Sequence, residues 1–133
     1  MLAAAAVMAG VVIRWRPFRV EVVGSSMSPA LQPGDWALAV RAHRTRRGDV
    51  VVVRHPLRPG LELVKRVTGG PGDRVRPDRV LGPDEWFVEG DDAEASTDSR
   101  NLGPVPEAAF AGRVAFVYWP PGRLGSLGSV VSD

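Results

Sequence analysis

Apolar and polar residues alternate along short stretches of this 133-residue chain, a period of two that marks strands with one buried face. Phe18, Val20 and Val22 alternate with Arg19 and Glu21, and Trp36, Leu38 and Val40 alternate with two alanines. Val50 to Val53 is an unbroken apolar run, consistent with a buried strand. Leu61 to Val67, Trp86 to Glu89 and Val114 to Trp119 complete the predicted strands. Pro33-Gly34, Arg47-Gly48-Asp49, Pro59-Gly60 and the stretch from Gly69 to Asp73 read as turns and loops, and Gly90 to Pro106 is polar and turn-rich. After residue 13 no stretch has a convincing helical period. The pattern predicts a mostly β fold, a coiled sheet or partial barrel over residues 17–121, with a flexible tail over 122–133.

The first sixteen residues read differently. Leu2 to Ile13 is an apolar run without a basic start or a cleavage-type ending, so a removable signal peptide is not expected. Twelve residues are short for a bilayer crossing. The run suits either a short membrane-associated helix or one docked on the protein itself, and Trp15 fits a membrane interface. If the segment inserts, Arg14, Arg16 and Arg19 on its C-terminal side would keep the main domain in the cytoplasm by the positive-inside rule. Without insertion the protein is expected in the bacterial cytoplasm.

Composition narrows the chemistry. The chain has no cysteine, which removes thiol proteases, disulfide scaffolds and thiolate zinc sites. Its net charge is only +2, so nucleic acid is not an expected partner. Of seventeen basic residues, a single one, Lys65, is lysine. A guanidinium effectively never loses its proton, whereas a desolvated ammonium does, so the lone lysine calls for a lysine-specific reason.

Three segments carry candidate chemistry. Gly24-Ser25-Ser26-Met27-Ser28-Pro29 follows a strand; serines there are ordinarily turn formers. In the strand Leu61–Val67, Leu61, Leu63, Lys65 and Val67 share one face, while Glu62, Val64 and Arg66 share the other, more polar one. Lys65 is then either an edge lysine whose amine snorkels to water or a buried amine with a depressed pKa, competent as a general base at neutral pH. The third segment, Glu89 to Arg100, reads as a solvated acidic loop in which Asp98 and Arg100 can pair; exposed, such a pair contributes little. His43 and His55 match no metal or triad spacing.

Taken together and in this order, the segments GSSMSP, RRGDVVVVRHP, VKRVTGGPGD and EGDDAEASTDSR resemble the boxes of the type I signal peptidase family. The resemblance implies a serine–lysine dyad on a β-rich fold with neither metal nor cofactor. By motif position Ser26 is the nucleophile, Lys65 the base and Ser96 the group that orients the lysine. Asp98 and Arg100 are structural braces. Gly24 and Ser25 form the turn around the nucleophile and oxyanion, and Met27 and Pro29 lie near the substrate. Gly24 stands where some members have an oxyanion-donating serine, and Gly90-Asp91-Asp92 stands for the usual Gly-Asp-Asn. The short length and the wording GSSMSPALQPGDW are most similar to the nickel-type superoxide dismutase maturation proteases. The implied substrate is then the N-terminal leader of a nickel superoxide dismutase precursor. The alternatives are a general signal peptidase acting on exported preproteins and a catalytically dead β-domain that binds peptide by strand addition.

Overall fold

The computed structural model describes residues 16–41, 44–75, 78–123 and 125–126. The apolar N-terminal run and His43 lie outside these. Among the described residues no helix is long and apolar enough to cross a membrane.

The alternating segments form antiparallel strands: β1 (Pro17–Glu21), β2 (Trp36–Val40), β3 (Val50–Arg54), β4 (Glu62–Gly69), β5 (Arg74–Val75), β6 (Arg79–Val80), β7 (Phe87–Glu89), β8 (Phe110–Trp119) and β9 (Gly125–Ser126). The main sheet runs β1-β2-β8-β3-β4-β7, with β9 also paired to β8, and β5–β6 is a separate two-stranded hairpin. β1 and β7 end the order unpaired to each other, so the sheet is open; the expected β character holds, without a closed barrel. β8 is the hub: it pairs with β2 along residues 113–119, with β3 along 110–113 and with β9 at Phe116 and Val117.

The four valines opening β3 explain why the sheet is thick. Val50 and Val52 pack with Val22, Met27, Leu31, Ala37, Ala39, Val114 and Val117. Val51 and Val53 point the other way, into a second cluster with Val67, Val88 and Val105, edged by Trp86 and Phe110. A strand buried on both sides needs an uninterrupted apolar run, which is how the sequence reads there.

Two departures from the sequence reading bear on the site. A one-turn helix α1 (Ser99–Leu102) follows the acidic loop; Asp98 caps it by accepting from the Arg100 N–H. Four residues are too few for a hydrophobic period to register. Arg66, expected on a polar face, is only 9% exposed. Its guanidinium donates to both carboxylate oxygens of Asp91, at 2.9 and 3.1 Å, and to the carbonyl of Gly48 at 2.9 Å. A 3-10 turn over Pro121–Arg123 leads into the stretch expected as a flexible tail, and β9 lies within that stretch.

Candidate active site

Lys65 sits mid-way along β4, across from Val51 of β3, and is 3% exposed. The apolar face of β4 takes it inside, and Leu63, Val53 and Val88 line the small cavity beside it. Burial pushes its pKa down from the usual lysine value; the Asp98 carboxylate opposes that shift and the Arg100 guanidinium adds to it.

The amine is held by a chain of hydrogen bonds from the acidic loop. Lys65 Nζ donates to Ser96 Oγ at 2.7 Å, and Ser96 Oγ donates to Asp98 Oδ2 at 2.6 Å. Asp98, 1% exposed, also accepts from the Gly90 N–H at 2.8 Å and from Arg100 Nε and Nη2 at 2.9 and 2.5 Å. Arg100 reaches Glu89 at 3.3 Å as well. Burial pushes the Asp98 carboxyl up, but the bonds from Arg100, Ser96 and the two backbone N–H groups outweigh it and hold the pKa at about 2. The exposed acidic loop of the sequence reading is therefore, at Asp98, a buried brace. A neutral Lys65 amine that donates to Ser96 keeps its lone pair free for another partner.

Ser26 lies in a tight turn after β1. The Ser28 N–H donates to the Ser25 carbonyl at 3.0 Å, and the Leu31 N–H to the Met27 carbonyl at 3.0 Å. Met27 and Leu31, 2% and 0% exposed, pin this turn into the first core cluster. Met27, expected at the substrate, thus packs inside, while Pro29, Gly24 and Ser25 are exposed. Gly24 has φ +86°, where a serine would be strained by about 1 kcal/mol.

Gly90 brings the two halves together. The Ser26 carbonyl accepts from the Asp92 N–H at 2.8 Å. A Cβ placed on Gly90 would stand 2.3 Å from Ser96 Oγ and 2.6 Å from the Ser26 carbonyl oxygen, so the loop, the serine turn and the lysine's partner meet where a side chain is missing. The Ser26 hydroxyl, half-buried, makes no hydrogen bond to the described residues, Lys65 included.

The fold thus brings Lys65, Ser96, Asp98 and Arg100 into one network and lays the Ser26 turn against it. Sequence reasoning noted Gly90, Arg66 and Asp91 but gave them no part in the site. Two signals pointed to them: the Gly-Asp step at the head of the acidic loop and an arginine next to the only lysine. His55 bonds within its own turn, where its Nδ1 accepts from the Leu57 N–H at 3.0 Å. Among the described residues no group of His, Asp and Glu is arranged to hold a metal ion.

A family model described as signal peptidase, peptidase S26, matches residues 1–81 and 76–119. The chain is 39% identical over 127 residues to the mitochondrial ATP-independent inner membrane protease subunit 1b of Arabidopsis thaliana, covering 84% of this chain and 75% of that one. It is 33% identical over 120 residues to the human mitochondrial inner membrane protease subunit 1, covering 78% and 70%. Against the mitochondrial inner membrane protease subunit 2 of Saccharomyces cerevisiae it is 30% identical over 124 residues, covering 80% and 70%.

Proposed function

The chain belongs to the signal peptidase family, peptidase S26, and on that footing we propose that it is a serine endopeptidase that removes N-terminal leaders through a Ser26–Lys65 dyad. The observation that carries the dyad is the burial of the only lysine, its amine fixed by Ser96 beside the Ser26 turn.

In this reading neutral Lys65 accepts the proton of Ser26 Oγ as that oxygen attacks the scissile carbonyl. The Ser26 N–H donates to the developing oxyanion. The resulting ammonium of Lys65 gives its proton to the leaving amine, the C–N bond breaks, and an acyl ester remains on Ser26. Lys65 then takes a proton from water as the water attacks the ester, and returns it to Ser26 Oγ on release of the acid. Ser96 keeps the lone pair aimed, and the Asp98–Arg100 pair keeps Ser96 in place. The Ser26–Lys65 hydrogen bond forms in the substrate complex, where catalytic hydrogen bonds commonly tighten.

Membrane association and a membrane-delivered precursor are supported by relatives that are inner membrane protease subunits. The nickel superoxide dismutase leader gains no support from those relatives, and neither does a cytoplasmic domain. The test is intact-mass spectrometry of an exported precursor co-expressed with the native protein or with Ser26→Ala. Leader loss with the native protein alone is expected. Equal processing in both samples overturns the nucleophile, and an untouched precursor in both overturns this substrate class. A nickel superoxide dismutase precursor cut in its place would restore the narrower substrate.

A further inference from the structure

A groove of about 940 Å³ opens between the β5–β6 hairpin and α1. It touches the brace at Glu89 and Arg100 and includes neither Ser26 nor Lys65. Four arginines, Arg47, Arg74, Arg79 and Arg100, line it against the single carboxylate of Glu89. Thr68, Val75 and Phe87 add a partly apolar stretch to the lining.

Arg100 is committed to Asp98 and Glu89, but the other three are available. Arg47 is exposed and makes no ion pair among the described residues. Arg74 pairs with Asp78, and the two side chains are 68% and 78% exposed. Arg79 pairs with Glu85, at 52% and 35% exposed. Pairs this exposed are weakly held, screened by water and salt, so an incoming carboxylate can replace the internal one at little cost. Every cation is arginine, whose planar fork takes a carboxylate by two parallel hydrogen bonds. The site is a groove whose lining includes the apolar side chains of Val75 and Phe87. The exposed aromatic side chains that suit a bilayer, Trp119 and Phe116, are instead on β8, two strands removed from β4 in the sheet order.

We propose that this groove binds an acidic peptide segment, a stretch of the precursor away from its scissile bond; the binding partner, though not the binding itself, rests on the leader-peptidase reading. The groove selects precursors by a feature the catalytic turn does not touch, and Arg47, Arg74 and Arg79 are its specificity determinants.

The test reads binding without catalysis. The Ser26→Ala protein is titrated into a fluorescein-labelled glutamate-rich peptide of about eight residues, followed by anisotropy at low salt. The same protein carrying Arg47→Gln, Arg74→Gln and Arg79→Gln is the comparison. It keeps the hairpin's closing backbone bonds, Gly72 N–H to the Leu81 carbonyl and Leu81 N–H to the Asp73 carbonyl, both 2.8 Å, and circular dichroism checks its fold. Binding about tenfold weaker in the triple variant, and about tenfold weaker for the glutamine version of the peptide, is expected. Equal binding by both proteins, or equal binding of both peptides, overturns the proposal. So does co-sedimentation with phosphatidylserine vesicles that depends on these arginines when the peptide does not bind. None of these outcomes depends on whether the protein cleaves a leader.

Discussion

At the scale of single residues, Lys65 is held where its charge is unwelcome. Its folded pKa is below the unfolded one, so the folded state binds fewer protons across the interval between them, and stability rises with pH through that interval. Replacing the amine with an apolar side chain removes that cost. Lys65→Met is expected to raise the melting temperature by a few degrees while lowering kcat/KM by about a thousandfold; loss of both stability and activity would deny the lysine a strained role. If Lys65 is the base, as proposed, it must be neutral, so kcat/KM of the native protein is expected to fall as pH drops through the depressed lysine pKa, checked by a pH–rate profile. Asp98 has the opposite sign. Its folded pKa of about 2 is below the unfolded value, so its contribution is present above about pH 4 and is lost as pH falls toward 2. Acid titration of native protein against Asp98→Asn, followed by circular dichroism, is expected to show that loss in the native protein alone. Gly90→Ala forces a methyl group against Ser96 Oγ and the Ser26 carbonyl. Displacing either by about 1 Å is expected to lower kcat about a hundredfold, measured with substrate saturating.

At the scale of elements, the pairing of β4 with the loop after β7 rests on Arg66 and Asp91. Arg66→Ala strands a carboxylate that is 21% exposed and leaves the Gly48 carbonyl without its donor. A loss of about 2 kcal/mol in urea unfolding is expected, below the full cost of a wholly buried pair. The strands themselves were legible because their signal is local: β1, β2, β3, β4 and β8 each show alternation or an unbroken apolar run within five to ten residues. The face of β4 that carries Lys65 was legible for the same reason. What one strand cannot show is what another chain segment lays over it. Arg66 reads as polar and is buried, because Asp91, 25 residues away, covers it. Asp98 reads as solvated and is buried, because its partners are backbone N–H groups, the Ser96 hydroxyl and Arg100, all set by the loop's path. The β5–β6 hairpin, two residues per strand, is too short to leave a period. Ser26 was legible only through the order of the boxes; a turn serine has no pattern of its own.

At the scale of the whole molecule, an open sheet with β8 at its centre distributes stability unevenly. β8 exchanges backbone hydrogen bonds with three strands, and β3 is covered on both faces. Amide hydrogen exchange is expected to be slowest in β3 and β8, at Val51, Val53, Val114 and Val117, and fastest in the β5–β6 hairpin. Uniform protection across the chain would contradict this layout. The burial of the chain's only lysine also makes the molecule a reporter of its own opening. A digestive enzyme that cuts only after lysine has one target bond here, and it lies inside β4. A brief pulse of such an enzyme would leave native molecules whole and split opened ones into two pieces, so the ratio of bands on a gel would read the unfolded fraction directly, without dye or label.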